Sequence, residues 1–190
     1  MKKVAIVYYS GTGHTEKLAE AIEKGANSVE GVEANLIAIN PSDIINGSYK
    51  NQHVIDQLDE SDAIIFGSPT YMGGVSAQFK ALADATSYSW INQKWKNKLA
   101  AGFTVSGAKS GDKLHTLQYF NLFAMQHGMI WVSLGELPGQ SNGINNLGSW
   151  IGVMAVAQNE DPSITPSIED KNTAEILGHR VATLALAYQL

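Results

Sequence analysis

An apolar run, Ile6-Val7-Tyr8-Tyr9, leads straight into Ser10-Gly11-Thr12-Gly13-His14-Thr15, and Leu18, Ala19 and Ile22 follow at helical spacing. A strand that ends in a small, hydroxyl-rich turn and restarts as a helix gathers backbone N–H groups and hydroxyls around one point. The helix N-terminus behind the turn adds about half a positive charge. Such a turn is built to hold a phosphate, and it needs no Lys or Arg to do so.

Two phosphate motifs do not fit. A nucleoside triphosphate loop needs Gly-Lys-Ser/Thr downstream of its first glycine, whereas Gly11 is followed by Thr-Gly-His-Thr-Glu. The dinucleotide fingerprint needs a third glycine for close helix–strand packing, and Glu16 stands where the chain would need it. What remains is a terminal phosphate held by Ser10, Thr12, Thr15 and the loop amides. Ile6, Val7, Tyr8, Ser10, Gly13, Thr15, Ala19 and Ile22 match the flavodoxin signature, and the stretch resembles the loop that holds the 5′-phosphate of flavin mononucleotide (FMN) in that family.

The remainder of the chain alternates strand and helix. Strands are expected at 3–9, 32–39, 63–67, 99–105 and 129–134, and helices at 15–29, 54–60, 75–86, 113–126 and 167–188. Asp112 is read as a helix cap, and Gly31 and Gly128 as helix stops. The continuous apolar run Ala63-Ile64-Ile65-Phe66 suits a central parallel strand. The pattern predicts an α/β protein: a flavodoxin-like, doubly wound, five-stranded parallel sheet, order 2-1-3-4-5, as one domain over residues 1–190. About thirty residues after the fifth strand, rich in Gly, Asn, Pro and Ser, are read as loop.

The loops after the third and fourth strands should converge on the same crevice as the first. One is Pro69-Thr70-Tyr71-Met72-Gly73, the other Val105-Ser106-Gly107-Ala108-Lys109-Ser110. Their small residues allow close backbone approach to a flat ring. Lys109 is placed to offset the negative charge of a reduced flavin.

Bulk properties exclude several classes. Hydrophobic residues make up 44% of the chain and charged residues 16%, as in a globular protein. A net charge of −5 gives no footprint for nucleic acid. The absence of cysteine excludes disulfides, thiolate catalysis and iron–sulfur ligation. The five histidines show no metal-binding spacing, so no metal is expected. No apolar run is long enough to span a bilayer, and the run after Lys2-Lys3 is too short for a signal peptide, so a cytoplasmic location without a membrane partner is expected.

The chain resembles the NAD(P)H:quinone oxidoreductases named after a tryptophan-repressor-binding protein (the WrbA group). The likeness spans nearly the whole length: Val7-Tyr8-Tyr9-Ser10, Gly13-His14, Asp62 to Gly67, Pro69-Thr70, Gln78-Phe79-Lys80, Lys98-Leu99-Ala100 and His127-Gly128-Met129. It implies FMN as cofactor, NADH or NADPH as donor, a quinone or other small molecule as acceptor, and a homo-oligomer (dimer or tetramer). By position, Ser10, Gly11, Thr12, Gly13, His14 and Thr15 would hold the phosphate, with Thr12 also near the nicotinamide. Thr70, Tyr71, Met72 and residues 105–110 would contact the ring. Trp90 would overhang the flavin against substrate, and His127 would sit beside it, across a subunit boundary. Tyr71-Met72 replaces the group's usual Arg-Phe, and residues 138–150 lack its Gly-Gly-x-Pro-Tyr-Gly run. Two rivals stand beside this reading: a single-electron carrier, and a flavin-free interaction module on the same fold.

Overall fold

The computed structural model describes residues 1–188. Its elements in chain order are β1 (Lys2–Tyr8), α1 (His14–Asn27), β2 (Val32–Ala38), β3 (Ile44–Ile45), β4 (Ser48–Tyr49), α2 (Gln52–Glu60), β5 (Ala63–Tyr71), β6 (Gly74–Val75), α3 (Ala77–Ala85), α4 (Ser87–Ile91), β7 (Leu99–Ser106), α5 (Lys113–Gln126), β8 (Ile130–Trp131), β9 (Val153–Val156) and α6 (Ile168–Ala187). β1 lies between β2 and β5, and the main sheet runs β2-β1-β5-β7-β8, every neighbour parallel. This is the expected 2-1-3-4-5 order.

The fifth position differs from the expected continuous strand over 129–134. β8 pairs with Leu99 and Ala100 at the start of β7, and the chain then leaves the sheet. It returns as β9, which pairs in parallel with Phe103 to Ser106 at the end of β7. The excursion is held by buried Asn145. Its N–H donates to Thr173 Oγ1, its Nδ2 to the Glu136 carbonyl, and its Oδ1 accepts from the Ser149 amide. The thirty residues read as loop therefore contain a strand, and that strand carries the chain back to the carboxyl edge of the sheet.

Two apolar layers flank the sheet. One joins Ile6, Ile65 and Phe103 to Leu18 and Ile22 of α1 and Leu177 and Val181 of α6. The other joins Val7, Ile64 and Phe66 to α2, α3 and α5 through an aromatic cluster of Phe66, Phe79, Trp95, Phe120 and Phe123. Helix α3 is shorter than the expected 75–86, because Ser76 caps it by accepting from the Phe79 amide. Asp112 does precede α5, but it stands in the left-handed region (φ 52°) and its side chain caps nothing. No helix among the described residues is long and apolar enough to cross a membrane.

Candidate functional site

The carboxyl ends of β1, β5, β7 and β9 surround a cavity of about 590 Å³. Its volume lies within the range of small-molecule sites. The first loop forms one end. Ser10 Oγ accepts from the Gly13 and Glu16 amides (3.1 and 3.3 Å), which folds the turn around the start of α1. Gly13 sits at φ 92°, where a side chain would be strained and would also press on Pro162. The amides of Gly11, Thr12, His14 and Thr15 find no acceptor among the described residues. They are unpaired donors at a helix N-terminus, in a loop without a cationic side chain.

His14 ties this loop to the one after β9. Its Nε2 lies 2.9 Å from the Glu160 carbonyl, which can only accept, so Nε2 carries the hydrogen. In the neutral ring Nδ1 then accepts from Thr12 Oγ1 at 2.9 Å.

The second loop supplies Pro69, Thr70 and Tyr71 to the wall. Thr104 Oγ1 donates to the Ser68 carbonyl at 2.7 Å, so Thr70 donates to Thr104 and accepts from Thr116, each at 2.8 Å. The one hydroxyl proton of Thr70 is thus used inside the protein, and Thr70 meets the cavity as an acceptor. The Tyr71 hydroxyl lies over the α-carbon of Gly11, too close for a β-carbon to fit between. Met72 is fully exposed at the tip of the β5–β6 hairpin and does not line the cavity. The Gly73 carbonyl is taken by His115 Nδ1 at 2.6 Å.

From the third loop Val105, Ser106 and Gly107 reach the cavity, while Ala108, Lys109 and Ser110 do not. Lys109 is exposed and does not line the cavity. The loop is pinned by the chain leaving β9: the Ala157 amide donates to the Ser106 carbonyl (2.9 Å) and the Gln158 amide to that of Gly107 (3.2 Å).

The remaining wall, Ala157, Asn159, Glu160, Asp161 and Pro162, was not anticipated from the sequence. The apolar run Val153-Met154-Ala155-Val156-Ala157 was the signal available for it.

Trp90 and His127 are not brought to this cavity. Helix α5 runs back across the sheet and ends at Gln126, just before β8 pairs with the first residues of β7. His127 therefore lies at the amino end of the sheet, opposite the cavity. It lines a separate depression of about 340 Å³ with Trp90, Ile91, Gln93, Lys96 and Met125. Trp90 is half exposed there. His127 is buried and stacked on Trp95, and Nε2 meets Thr86 Oγ1 at 3.0 Å. Thr86 gives its own proton to the Ala83 carbonyl, so His127 Nε2 is the donor and Nδ1 is a buried, unpartnered lone pair. Burial pushes this imidazole down to about 4. The expected place beside a flavin is not available to His127 within its own chain.

Residues 1–140 match the family model for NADPH-dependent FMN reductases. The chain belongs to this family. A WrbA-like flavodoxin from Agrobacterium tumefaciens shares 41% identity with it over the full length of both chains, with a TM-score of 0.78. The flavodoxin FldP of Pseudomonas aeruginosa is 38% identical over 190 residues, covering 97% of each sequence. An NAD(P)H dehydrogenase (quinone) of Aromatoleum aromaticum is 30% identical over 200 residues, covering 97% of the chain and 96% of that protein. The chain is thus a flavodoxin-like FMN reductase family member of the WrbA type, with FMN as cofactor and NAD(P)H as donor. The cavity suits that cofactor: unpaired amides with neutral hydroxyls at one end for a phosphate, and Val105, Ser106, Gly107 and Tyr71 among the other walls for a ring.

Proposed function

We propose that this chain reduces quinones by two electrons at the cavity between its first, second and third βα loops, with NADH or NADPH as donor. The observation that carries the reading is the set of four unpaired amides, Gly11, Thr12, His14 and Thr15, at one end of a cavity whose other walls include Thr70, Tyr71, Ser106 and Gly107. FMN, when bound, supplies the redox chemistry. The protein binds and orients it. The first loop and the α1 N-terminus would hold the phosphate, Thr70 would offer an acceptor, and Tyr71 would cover the loop from the solvent side. The quinone dehydrogenase from Aromatoleum supports a small-molecule acceptor, and a cytoplasmic setting belongs to the same reading.

We further propose that the depression around Trp90 joins a second copy of the chain. Trp90 and Ile91 are half exposed or more, and Met125 is 44% exposed beside them. Such an assembly would bring Trp90 toward the larger cavity of another copy, which it does not line in its own chain. The name of the Pseudomonas relative favours a second reading, a one-electron carrier.

Anaerobic stopped-flow mixing of FMN-loaded protein with NADH and then benzoquinone separates the two. Rapid loss and rapid return of flavin absorbance support the reductase. Slow reaction with NADH, together with two resolved one-electron steps in a redox titration, supports the carrier.

A further inference from the structure

Lys113, the first residue of α5, is a charged side chain that the functional reading leaves unused. It is 1% exposed. Its Nζ donates to Ser106 Oγ at 2.8 Å, to the Ala108 carbonyl at 3.0 Å and to the Lys109 carbonyl at 2.8 Å. Three acceptors match the three hydrogens of an ammonium, whereas a neutral amine would set a lone pair against one of them. Ser106 sends its own proton to the Ala108 carbonyl (2.9 Å), so it meets Lys113 purely as an acceptor. Gly111, at φ 55°, lies so close to Ser106 that a β-carbon there would collide with it.

Ser106 is also a wall of the cavity. A positive charge thus stands one hydrogen bond behind the flavin site, held by its three acceptors although burial lowers the Lys113 ammonium from its ordinary value, and shielded from the solvent that screens an exposed lysine. The carboxylate whose charge acts on Lys113 is Asp170 of α6. That side chain is itself 8% exposed and accepts from the Val156 amide at 3.2 Å, while the Nζ hydrogens of Lys113 go to Ser106, Ala108 and Lys109. Burial raises the Asp170 carboxyl, while the Val156 amide and the Lys113 ammonium favour its ionised form.

Two-electron reduction with uptake of one proton leaves a flavin one unit more negative, and a buried cation favours that state. We propose that Lys113 is a positioning residue that shapes the third loop and raises the reduction potential of FMN in the cavity, the role the sequence had suggested for Lys109. The proposal rests on FMN occupying this cavity.

The test compares dissociation constants for oxidised and reduced FMN, together with the two-electron midpoint potential, in wild type, Lys113→Met, Lys113→Arg and Asp170→Asn. Lys113→Met is expected to weaken reduced FMN about tenfold more than oxidised FMN, a potential lower by about 30 mV. Lys113→Arg should restore most of the difference, and Asp170→Asn should move the potential upward. If Lys113→Met weakens both forms equally and leaves the potential in place, Lys113 is only a loop staple and the proposal fails. If Lys113→Met does not fold, an unmoved potential in Asp170→Asn overturns it. Wild-type protein that binds no FMN sinks the cofactor reading itself, before any variant is compared.

Discussion

The imidazole of His127 stacks on the indole of Trp95, with ring centroids 4.1 Å apart and planes tilted by 26°. Phe123 packs edge-on at 4.9 Å, and Asp59 holds the Trp95 Nε1–H at 2.7 Å from the far side. The histidine is a core residue at the end of α5, and its protonation opposes folding. Its folded value is lowered from 6.5 to about 4, so its contribution is complete above pH 6.5 and is lost as the pH falls toward 4. Denaturant melts of wild type and His127→Phe across that window should converge as the pH drops. Parallel curves would show that the ring does not titrate as its burial demands.

Helices α1 and α6 touch backbone to backbone. A β-carbon on Gly178 would collide with the Ile22 carbonyl, and one on Gly25 with that of Glu175. Neither neighbour is a flexible side chain, so the helices must part to admit a methyl group. Gly178→Ala is expected to cost about 2–3 kcal/mol, seen as a melting temperature lower by roughly 4–12 °C. Because the cavity lies at the far end of α1 from this contact, FMN affinity at a temperature where the variant is folded should stay within about threefold.

Ser10 orders the first loop by accepting two amides without itself lining the cavity. Ser10→Ala leaves those amides free and lets the turn open. Fluorescence titration should show FMN binding weakened about tenfold, with a smaller loss of thermal stability, as expected for a lost pair of local hydrogen bonds. Unchanged affinity would mean that the turn holds its shape without the hydroxyl.

Trp90 does not line the cavity of its own chain, so the proposed role at the flavin requires a second copy. Trp90→Ala should slow the quinone half-reaction about tenfold while FMN affinity stays within about twofold, and it should shift the light-scattering mass toward monomer. Loss of the assembly with no change in the quinone step would make Trp90 an interface residue alone.

The parts of this molecule legible in the sequence are those whose physics is local. The phosphate loop declares itself because strand, hydroxyl turn and helix start lie within a dozen residues. The buried strands declare themselves because Ala63 to Phe66 and Leu99 to Val105 are apolar throughout. Of the long-range structure, the strand order was legible from the alternation of strand and helix, but the break in the fifth strand was not. A fifth strand broken by residues 132–152 requires Asn145 and Thr173 to meet, and neither residue advertises a partner that far along the chain. A thirty-residue loop inside a compact domain was itself the warning that a strand had been missed. Lys113 and Lys109 look alike in sequence, and only the wrap of the third loop buries one and leaves the other in solvent. His127 was legible as a helix-end residue, and its burial at the amino end of the sheet follows from the direction in which α5 crosses.

The central claim is that the first loop grips a phosphate with neutral donors, and comparing FMN with riboflavin tests it most directly. The two ligands share the ring and the ribityl chain and differ only in the phosphate, so titrating both into the apoprotein isolates the contribution of the Gly11, Thr12, His14 and Thr15 amides. The account predicts riboflavin binding at least about 100-fold more weakly than FMN, roughly 2.7 kcal/mol spread over several charge-assisted hydrogen bonds. Equal affinities would contradict it.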